Sequence, residues 1–277
     1  MVTGSSGTEA VRDLYEQLTD LMAEAMGGYL HGGYFGGPDP ADTIGEAAGR
    51  LTDLVAGRCR LTAGQRVLDV GSGNGKASLR VAAAHRVRVT GITLSGYQVR
   101  LSRELAQEQA MIQVADFHVA NMHDMPFGDG TFDAAFAIES FCHVTDRESA
   151  YREIGRVLRA GGLVAVADLF LRRPIVDERA KAIVEASNAA FENGPILPRQ
   201  DYESAIRAAG LTVVEFTDIG DDVLPSFVTV ARNMSAAKSA VQGLMSDEDF
   251  DQMTGSLERF ATVAEIGYLI AVAQKPA

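Results

Sequence analysis

The sequence predicts an α/β protein: a doubly wound, mostly parallel sheet of seven strands with an N-terminal helical cap and a helical lid. Three observations predict it. From Arg66 onward, short apolar runs alternate with amphipathic segments, the pattern of parallel βαβ units with right-handed crossovers. One of those strands runs directly into Gly71-Ser72-Gly73-Asn74-Gly75 and then into a helix. Two later apolar runs, 211–219 and 266–273, are of strand length and are placed in the same sheet.

The elements follow in order. Met1 to Gly7 lack the basic-then-apolar order of a signal peptide, so residues 1–8 read as a flexible leader. Val11, Leu14, Tyr15, Leu18, Leu21, Met22 and Ala25 share one helical stripe over 9–26, which Gly27-Gly28 ends. A glycine-rich loop with Tyr29, His31, Tyr34 and Phe35 follows, then a helix over 42–58, completing a cap over 9–58. The core, 59–170, holds strand 66–70, helix 75–84, strand 87–92, helix 96–109, strands 114–119 and 132–138, helix 146–160 and strand 163–169. Thr145 and Glu148 have capping-box spacing for helix 146–160, and Gly161-Gly162 supplies its stop. A composition step at Phe170–Pro174 opens a lid insertion, 171–200, with helix 176–192 and a Gly194–Pro198 break. Residues 201–277 complete the sheet: helix 199–209, strand 211–219, helices over 222–241 and 246–263, and strand 266–273.

Composition excludes several functions. With 25 Lys and Arg against 37 Asp and Glu, the chain carries a net charge of −12, which repels phosphate backbones and anionic lipid. Nucleic acid is therefore not expected as a partner. No run approaches the ~18 apolar residues of a membrane span. Cys59 and Cys142 form neither a disulfide framework nor a metal-ligand spacing, so no metal and a reduced, cytoplasmic setting are expected. A homo-oligomer is compatible with the sequence, which carries no signal for or against it.

The sharpest motif is Val67-Leu68-Asp69-Val70-Gly71-Ser72-Gly73-Asn74-Gly75. Glycines at this spacing let the backbone turn tightly and bring a ligand against the main chain at a helix N-terminus. A dinucleotide site wants Gly-x-Gly-x-x-Gly and an acid about 20 residues on. Here the third glycine comes one residue early, and no Asp or Glu lies between Asp69 and Glu104. No Lys-Ser or Lys-Thr follows in the P-loop manner. Asp69, just before the first glycine, suits a ligand with a cationic end.

Leu68-Asp69-x-Gly71-x-Gly73-x-Gly75 resembles the first motif of the class I methyltransferases, which bind S-adenosylmethionine. The resemblance continues through Pro126-Phe127-Gly128-Asp129-Gly130-Thr131-Phe132-Asp133 and Arg156-Val157-Leu158-Arg159-Ala160-Gly161-Gly162. It narrows further. The helix with Tyr15, then Leu30-His31-Gly32-Gly33-Tyr34-Phe35, Thr90-Gly91-Ile92-Thr93-Leu94-Ser95 with Gln98, and Ile138-Glu139-Ser140-Phe141-Cys142-His143 resemble the subgroup of sterol C-methyltransferases and actinobacterial natural-product methyltransferases. That resemblance spans nearly the whole chain and implies a Rossmann-like methyltransferase fold.

It also implies roles. S-adenosylmethionine is the expected cofactor. Asp69, Gly71, Ser72, Gly73 and Gly75 form its loop, with Gly71 to Gly73 at the methionine end. Thr93, Leu94 and Gln98 are expected at ribose and adenine, with Thr93 where the wider class has an acid. Asn121 and Met122 are expected around adenine, Asn121 accepting from its amine. His31 and Tyr34 are expected to close over the methionine part, and Glu139 is placed with the cofactor set.

Methyl transfer is an in-line displacement, with the acceptor held roughly 3–3.5 Å from the methyl. A hydroxyl acceptor also needs a base. His143, just past the fourth strand, is the candidate, with Asp168 to orient it or act itself and Tyr15 beside them. Many O-methylating relatives resemble His-His where this chain has Cys142-His143. The segment also resembles that of sterol C-methyltransferases, where an alkene attacks and aromatic faces stabilise the cation. Tyr15, Tyr29, Phe35, Phe141, Phe170 and Phe191 are available for such a wall. Ile175, Val176, Ile183, Phe191, Pro195, Ile196 and Leu197 would make the insertion an apolar lid. The expected function is methylation of a small lipophilic specialised metabolite, narrowly C-methylation of an isoprenoid-like alkene with possible cyclisation. O-methylation of a sugar, polyketide or indole hydroxyl is the alternative, and a cofactor-retaining cyclase or binding protein the second.

Overall fold

The strands β1 (Arg66–Val70), β2 (Arg88–Thr93), β3 (Ala115–Val119), β4 (Phe132–Ile138), β5 (Leu158–Leu171), β6 (Thr212–Asp218) and β7 (Ile266–Gln274) form one sheet in the order β3-β2-β1-β4-β5-β7-β6. The computed structural model describes residues 5–37, 43–241 and 245–277. β1 to β5 pair in parallel, and β7 runs antiparallel to both β5 and β6. β4 and β7 are buried almost throughout, which is why they read as near-continuous apolar runs.

Helices cover both faces. On one side pack α1 (Ser5–Ala25), α2 (Ile44–Arg58), α9 (Pro225–Ala236) and α10 (Asp247–Phe260), around a core that includes Leu18, Leu51, Phe136, Val230, Phe250 and Ile270. The other side carries α5 (Arg147–Val157) and α7 (Arg199–Ala208), around Leu68, Ala135, Tyr151, Ile154, Val164 and Tyr202. α3 (Lys76–His85) and α4 (Gly96–Glu108) flank β3, α6 (Glu178–Ala190) lies against α10, and α8 (Gly220–Val223) follows β6.

Some boundaries moved. Residues 5–8 belong to α1 rather than to a leader; residues 1–4 lie outside the described residues, as do residues 38–42, where the second helix was expected to begin. Thr43 caps α2 with a complete Thr-x-x-Glu box to Glu46. The box expected for α5 is not formed. Asp146 caps that helix instead, accepting from Ser149 N at 2.9 Å, while Glu148 pairs with Arg152. α5 also ends at Val157, before the glycines, because β5 already pairs Leu158 with Phe132. The expected helix over 222–241 is divided into α8, α9 and a 3₁₀ turn over 238–241.

Arg156 explains why two of the sequence motifs travel together. Its guanidinium bonds the carbonyls of Met125 and Phe127 and the carboxylates of Asp129 and Glu153. It thereby fastens the 125–130 loop to α5. The strand order reverses between β1 and β4, and the carboxyl ends of β1, β2, β3 and β4 open onto the cleft described next.

Candidate active site

The chain leaves β1 through Gly71 and Gly73, with φ of 86° and 52°, a left-handed conformation that disfavours any residue with a Cβ. Gly71 N and Ser72 N both donate to Ile92 O, at 2.9 and 2.8 Å, which pins the turn to β2. A Cβ on Gly71 would lie 2.3 Å from Ser140 Cβ, and one on Gly73 would lie 2.9 Å from Leu30 Cδ1. Two clefts meet over this turn, and Leu30, Gly71, Gly73 and Ile138 line both.

The lower cleft holds three buried polar side chains among apolar ones, Asp69, Ser72 and His31. Asp69 is buried and accepts from Ser78 Oγ at 2.5 Å; burial pushes its carboxyl up to about 7, against the pull of Ser78. The buried Ser72 hydroxyl has no partner among the described residues. His31 Nδ1 donates to Gly32 O at 2.8 Å, and Nε2 lies 3.2 Å from Thr52 Oγ1. Burial lowers that imidazole to about 4, so it is neutral at physiological pH.

The upper cleft runs over β2 and β3. Thr93 Oγ1 donates to Gln98 Oε1 at 2.5 Å, and Gln98 Nε2 donates to Thr19 Oγ1 at 3.1 Å. This chain ties α1 to the β2–α4 corner. Asn121 Oδ1 accepts from His123 N at 3.0 Å, which fixes the amide so that its oxygen keeps one further lone pair. Ile92, Leu94, Ala120 and Met122 complete an apolar slot.

At the far end, Tyr15 Oη and His143 Nε2 are 3.0 Å apart, their rings meeting edge to face. His143 sits in a 3₁₀ turn, Phe141–His143, immediately after β4. Its Nδ1 lies 3.1 Å from Glu192 O, which can only accept, so Nδ1 carries the proton and the Nε2 lone pair accepts from Tyr15 Oη at the cleft. Burial lowers its pKa below the usual 6.5, so the imidazole is neutral. Glu139, with φ of 49°, turns its Oε1 to Gly32 N at 2.9 Å and Tyr268 Oη at 3.0 Å. Burial pushes it up to about 7, partly offset by those two donors.

Of the residues expected from sequence, the structure places Tyr15, Gly71, Gly73, Thr93, Leu94, Gln98, Asn121, Met122, Glu139 and His143 on the upper cleft, and His31, Asp69 and Ser72 on the lower one. Three are elsewhere. Gly75 starts α3 with φ of 81° and packs against Ser102 and Phe117. Tyr34 bonds Ala47 O through its N–H, and its phenol lies beside Asp222, away from both clefts. Asp168 is fully buried under the 141–143 turn; it accepts from Leu169 N at 2.7 Å, and the group that orients His143 is the Glu192 carbonyl.

The aromatic wall is also different. Tyr15 alone of that set lines the upper cleft: Tyr29 lines the lower one, Phe141 packs on Tyr151 and Phe170 on Phe216. Phe191 belongs to the core, as does the apolar face of α6 with Ile183 and Val184, and Val176 is exposed. The insertion therefore reaches the site through a main-chain carbonyl rather than through its apolar side chains. Sequence reasoning missed Thr8, Val11 and Arg12, which line the cleft from α1 beside Tyr15. Their spacing at one, four and five positions along a helix was the signal, but Val11 was read as part of the apolar stripe, Thr8 as leader, and Arg12 was given no role. Among the described residues no three His, Cys, Asp or Glu side chains gather as metal ligands would, and no helix is long and apolar enough to cross a membrane.

Residues 68–166 match the family model described as a methyltransferase domain. The chain is 38% identical over 211 residues to the O-methyltransferase rstn1 of Aspergillus nomiae, covering 76% of this chain and 92% of that one. It is 31% identical over 264 residues to the 27-O-demethylrifamycin SV methyltransferase of Amycolatopsis mediterranei, covering 95% of each. Among solved structures, the [4+2]-cyclase SpnF superposes with a TM-score of 0.84 at 29% identity, covering 98% of this chain and 96% of that one.

Proposed function

The chain belongs to the S-adenosylmethionine-dependent methyltransferases, and on that premise we propose that it methylates a hydroxyl group of a small, largely apolar natural product. Its cofactor is S-adenosylmethionine, and the clefts fit it. The unpartnered Ser72 hydroxyl and the Asp69 carboxylate suit the two charged groups of the methionine end, and the Ile92–Met122 slot with Asn121 suits a flat purine. When bound, that cofactor supplies an electrophilic methyl group on a sulfonium.

The observation that carries the hydroxyl reading is the tautomer of His143. A neutral imidazole, with Nδ1–H fixed by the Glu192 carbonyl, turns a basic Nε2 into the cleft. Nε2 takes the hydroxyl proton as the acceptor oxygen attacks. Tyr15 holds that nitrogen in line until the acceptor arrives, and its phenol stays protonated because burial and the nearby acids push its pKa up. Val11, Leu30, Ile138 and Val144 give the acceptor an apolar wall and exclude water. An alkene acceptor would call for aromatic faces around the cation, and of the aromatic set only Tyr15 lines this cleft. The relatives named as O-methylating enzymes favour the same reading.

A second reading has its own support: a close structural relative at 29% identity is named as a cyclase. The test offers hydroxylated polyketides, indoles and sugars with S-adenosylmethionine, and each acceptor's O-methylated counterpart as control. The hydroxyl reading expects S-adenosylhomocysteine and a product heavier by one methylene, and no reaction with the control. A product isomeric with its substrate, with no S-adenosylhomocysteine, supports the cyclase.

A further inference from the structure

Arg147, the first residue of α5, is 3% exposed. Its Nη2 donates to Pro195 O at 2.9 Å, and its guanidinium lies 5.1 Å over the Tyr202 ring. Nε and Nη1 have no partner in the described protein, and the same holds for Asp168 Oδ2 and Tyr151 Oη nearby. A buried guanidinium with one hydrogen bond is poor evidence for a stabilising role, because removal from water costs more than that bond returns. Its position supplies a different reason.

The turn that carries His143 is held from two sides. From below, Asp168 on β5 faces the backbone N–H groups of Phe141 and Cys142, and the charge of Arg147 helps keep that carboxylate ionised against burial. From the lid side, the segment between α6 and α7 is fastened to the turn twice: Gly194 N donates to Cys142 O at 2.7 Å, and Glu192 O takes His143 Nδ1–H at 3.1 Å. Glu192 itself adopts φ of 52°, a conformation that a non-glycine residue keeps only where its surroundings hold it. Arg147 grips the lid-side attachment directly, through Pro195 O, and its charge favours the ionised form of Asp168 below the turn.

We propose that Arg147 is a positioning residue for methyl transfer, fixing the tautomer and aim of His143 by clamping the 192–195 segment against the 141–143 turn. This rests on His143 being the base. Without the guanidinium, the 192–195 segment loses its side-chain anchor on α5, the Glu192 carbonyl drifts, and Nδ1 loses the acceptor that selects its proton.

The test needs no acceptor. Protein labelled with ¹⁵N in its five histidines is bound to S-adenosylhomocysteine, and the His143 signals are assigned by their loss in His143→Gln. Wild-type protein is expected to show a single Nδ1–H tautomer. Arg147→Met is expected to show a mixture of tautomers at His143 while S-adenosylhomocysteine binds with wild-type affinity by calorimetry, which certifies the fold. Arg147→Lys keeps the charge without the planar fork, and serves if Arg147→Met does not fold; it too is expected to mix the tautomers. An unchanged single tautomer in either folded variant overturns the proposal. With any acceptor that turns over, kcat should fall by about 10- to 100-fold, the scale of a misplaced reacting group, with KM for S-adenosylmethionine unchanged. Wild-type kcat in a folded variant also overturns it. If instead His143→Ala turns over normally, the base reading fails, whatever Arg147 does.

Discussion

Tyr15 on α1 and His143 after β4 meet through a 3.0 Å hydrogen bond between groups 128 positions apart in sequence. Helix α1 thus completes the acceptor end of a site whose cofactor end is built by the sheet. Thr19, one turn further along, is tied to Gln98 over β2, so a single helix spans both ends of the cleft.

Removing the two partners of that bond should have unequal effects. His143→Ala removes the proton acceptor and should lower kcat for a hydroxyl acceptor by ~10²–10⁴. Tyr15→Phe removes only a hydrogen bond that holds the imidazole, and should cost about 2- to 10-fold, the size of one ordinary bond. Steady-state kinetics on both variants decides it. Equal losses would make the phenol part of the proton path.

The pH dependence of kcat at saturating cofactor should carry the sign of a base that must be neutral. Burial holds His143 below its ordinary 6.5, so the rate should stay level from pH 8 down to about 6.5 and fall only below that. A limb rising through 7 or above would mean that another group is the base.

Cofactor binding should release protons near neutrality. Burial holds Asp69 at about 7, so close to that pH a part of the free protein has it protonated. A cationic ligand end binds the carboxylate form better, so affinity should rise as pH is raised to about 7 and then level. Calorimetry at pH 6.5 in buffers of different ionisation enthalpy should show the release, and Asp69→Asn should abolish it. Release of equal size in Asp69→Asn would place the proton elsewhere.

Gly73→Val should weaken S-adenosylmethionine binding. The residue has φ of 52°, and a Cβ there meets Leu30 Cδ1 at 2.9 Å, so the branched side chain drives Leu30 into the cleft. Strain of this kind costs roughly 1–3 kcal/mol, or ~5- to 150-fold in affinity. Unchanged affinity in a folded variant would show that the loop does not approach the ligand.

What was legible in sequence follows from what periodicity encodes. The sheet was readable because parallel strands buried on both faces become apolar runs, and the glycine loop because its backbone demands residues without a Cβ. An apolar face says that a helix is covered, not by what. The face of α6 that suggested a substrate lid packs into the core against α10, while Thr8, assigned to the leader, and Val11, assigned to the apolar stripe, line the cleft from α1 together with Arg12. The Glu192 carbonyl that orients His143 is main chain and has no signature in residue type. Asp168 was expected near the end of strand 163–169, but β5 runs on to Leu171, and only the folded chain shows the carboxylate buried under the 141–143 turn. Tyr34 shares its loop with His31, yet its phenol goes to Asp222 while the imidazole of His31 stays at the cleft.

The most direct measurement uses S-adenosylmethionine carrying ¹³C in its methyl group, with the accepted substrate and carbon NMR of the product. The account predicts a labelled methyl bound to oxygen, formed in step with S-adenosylhomocysteine and lost in His143→Ala. A labelled methyl bound to carbon, or a product without label, would contradict it.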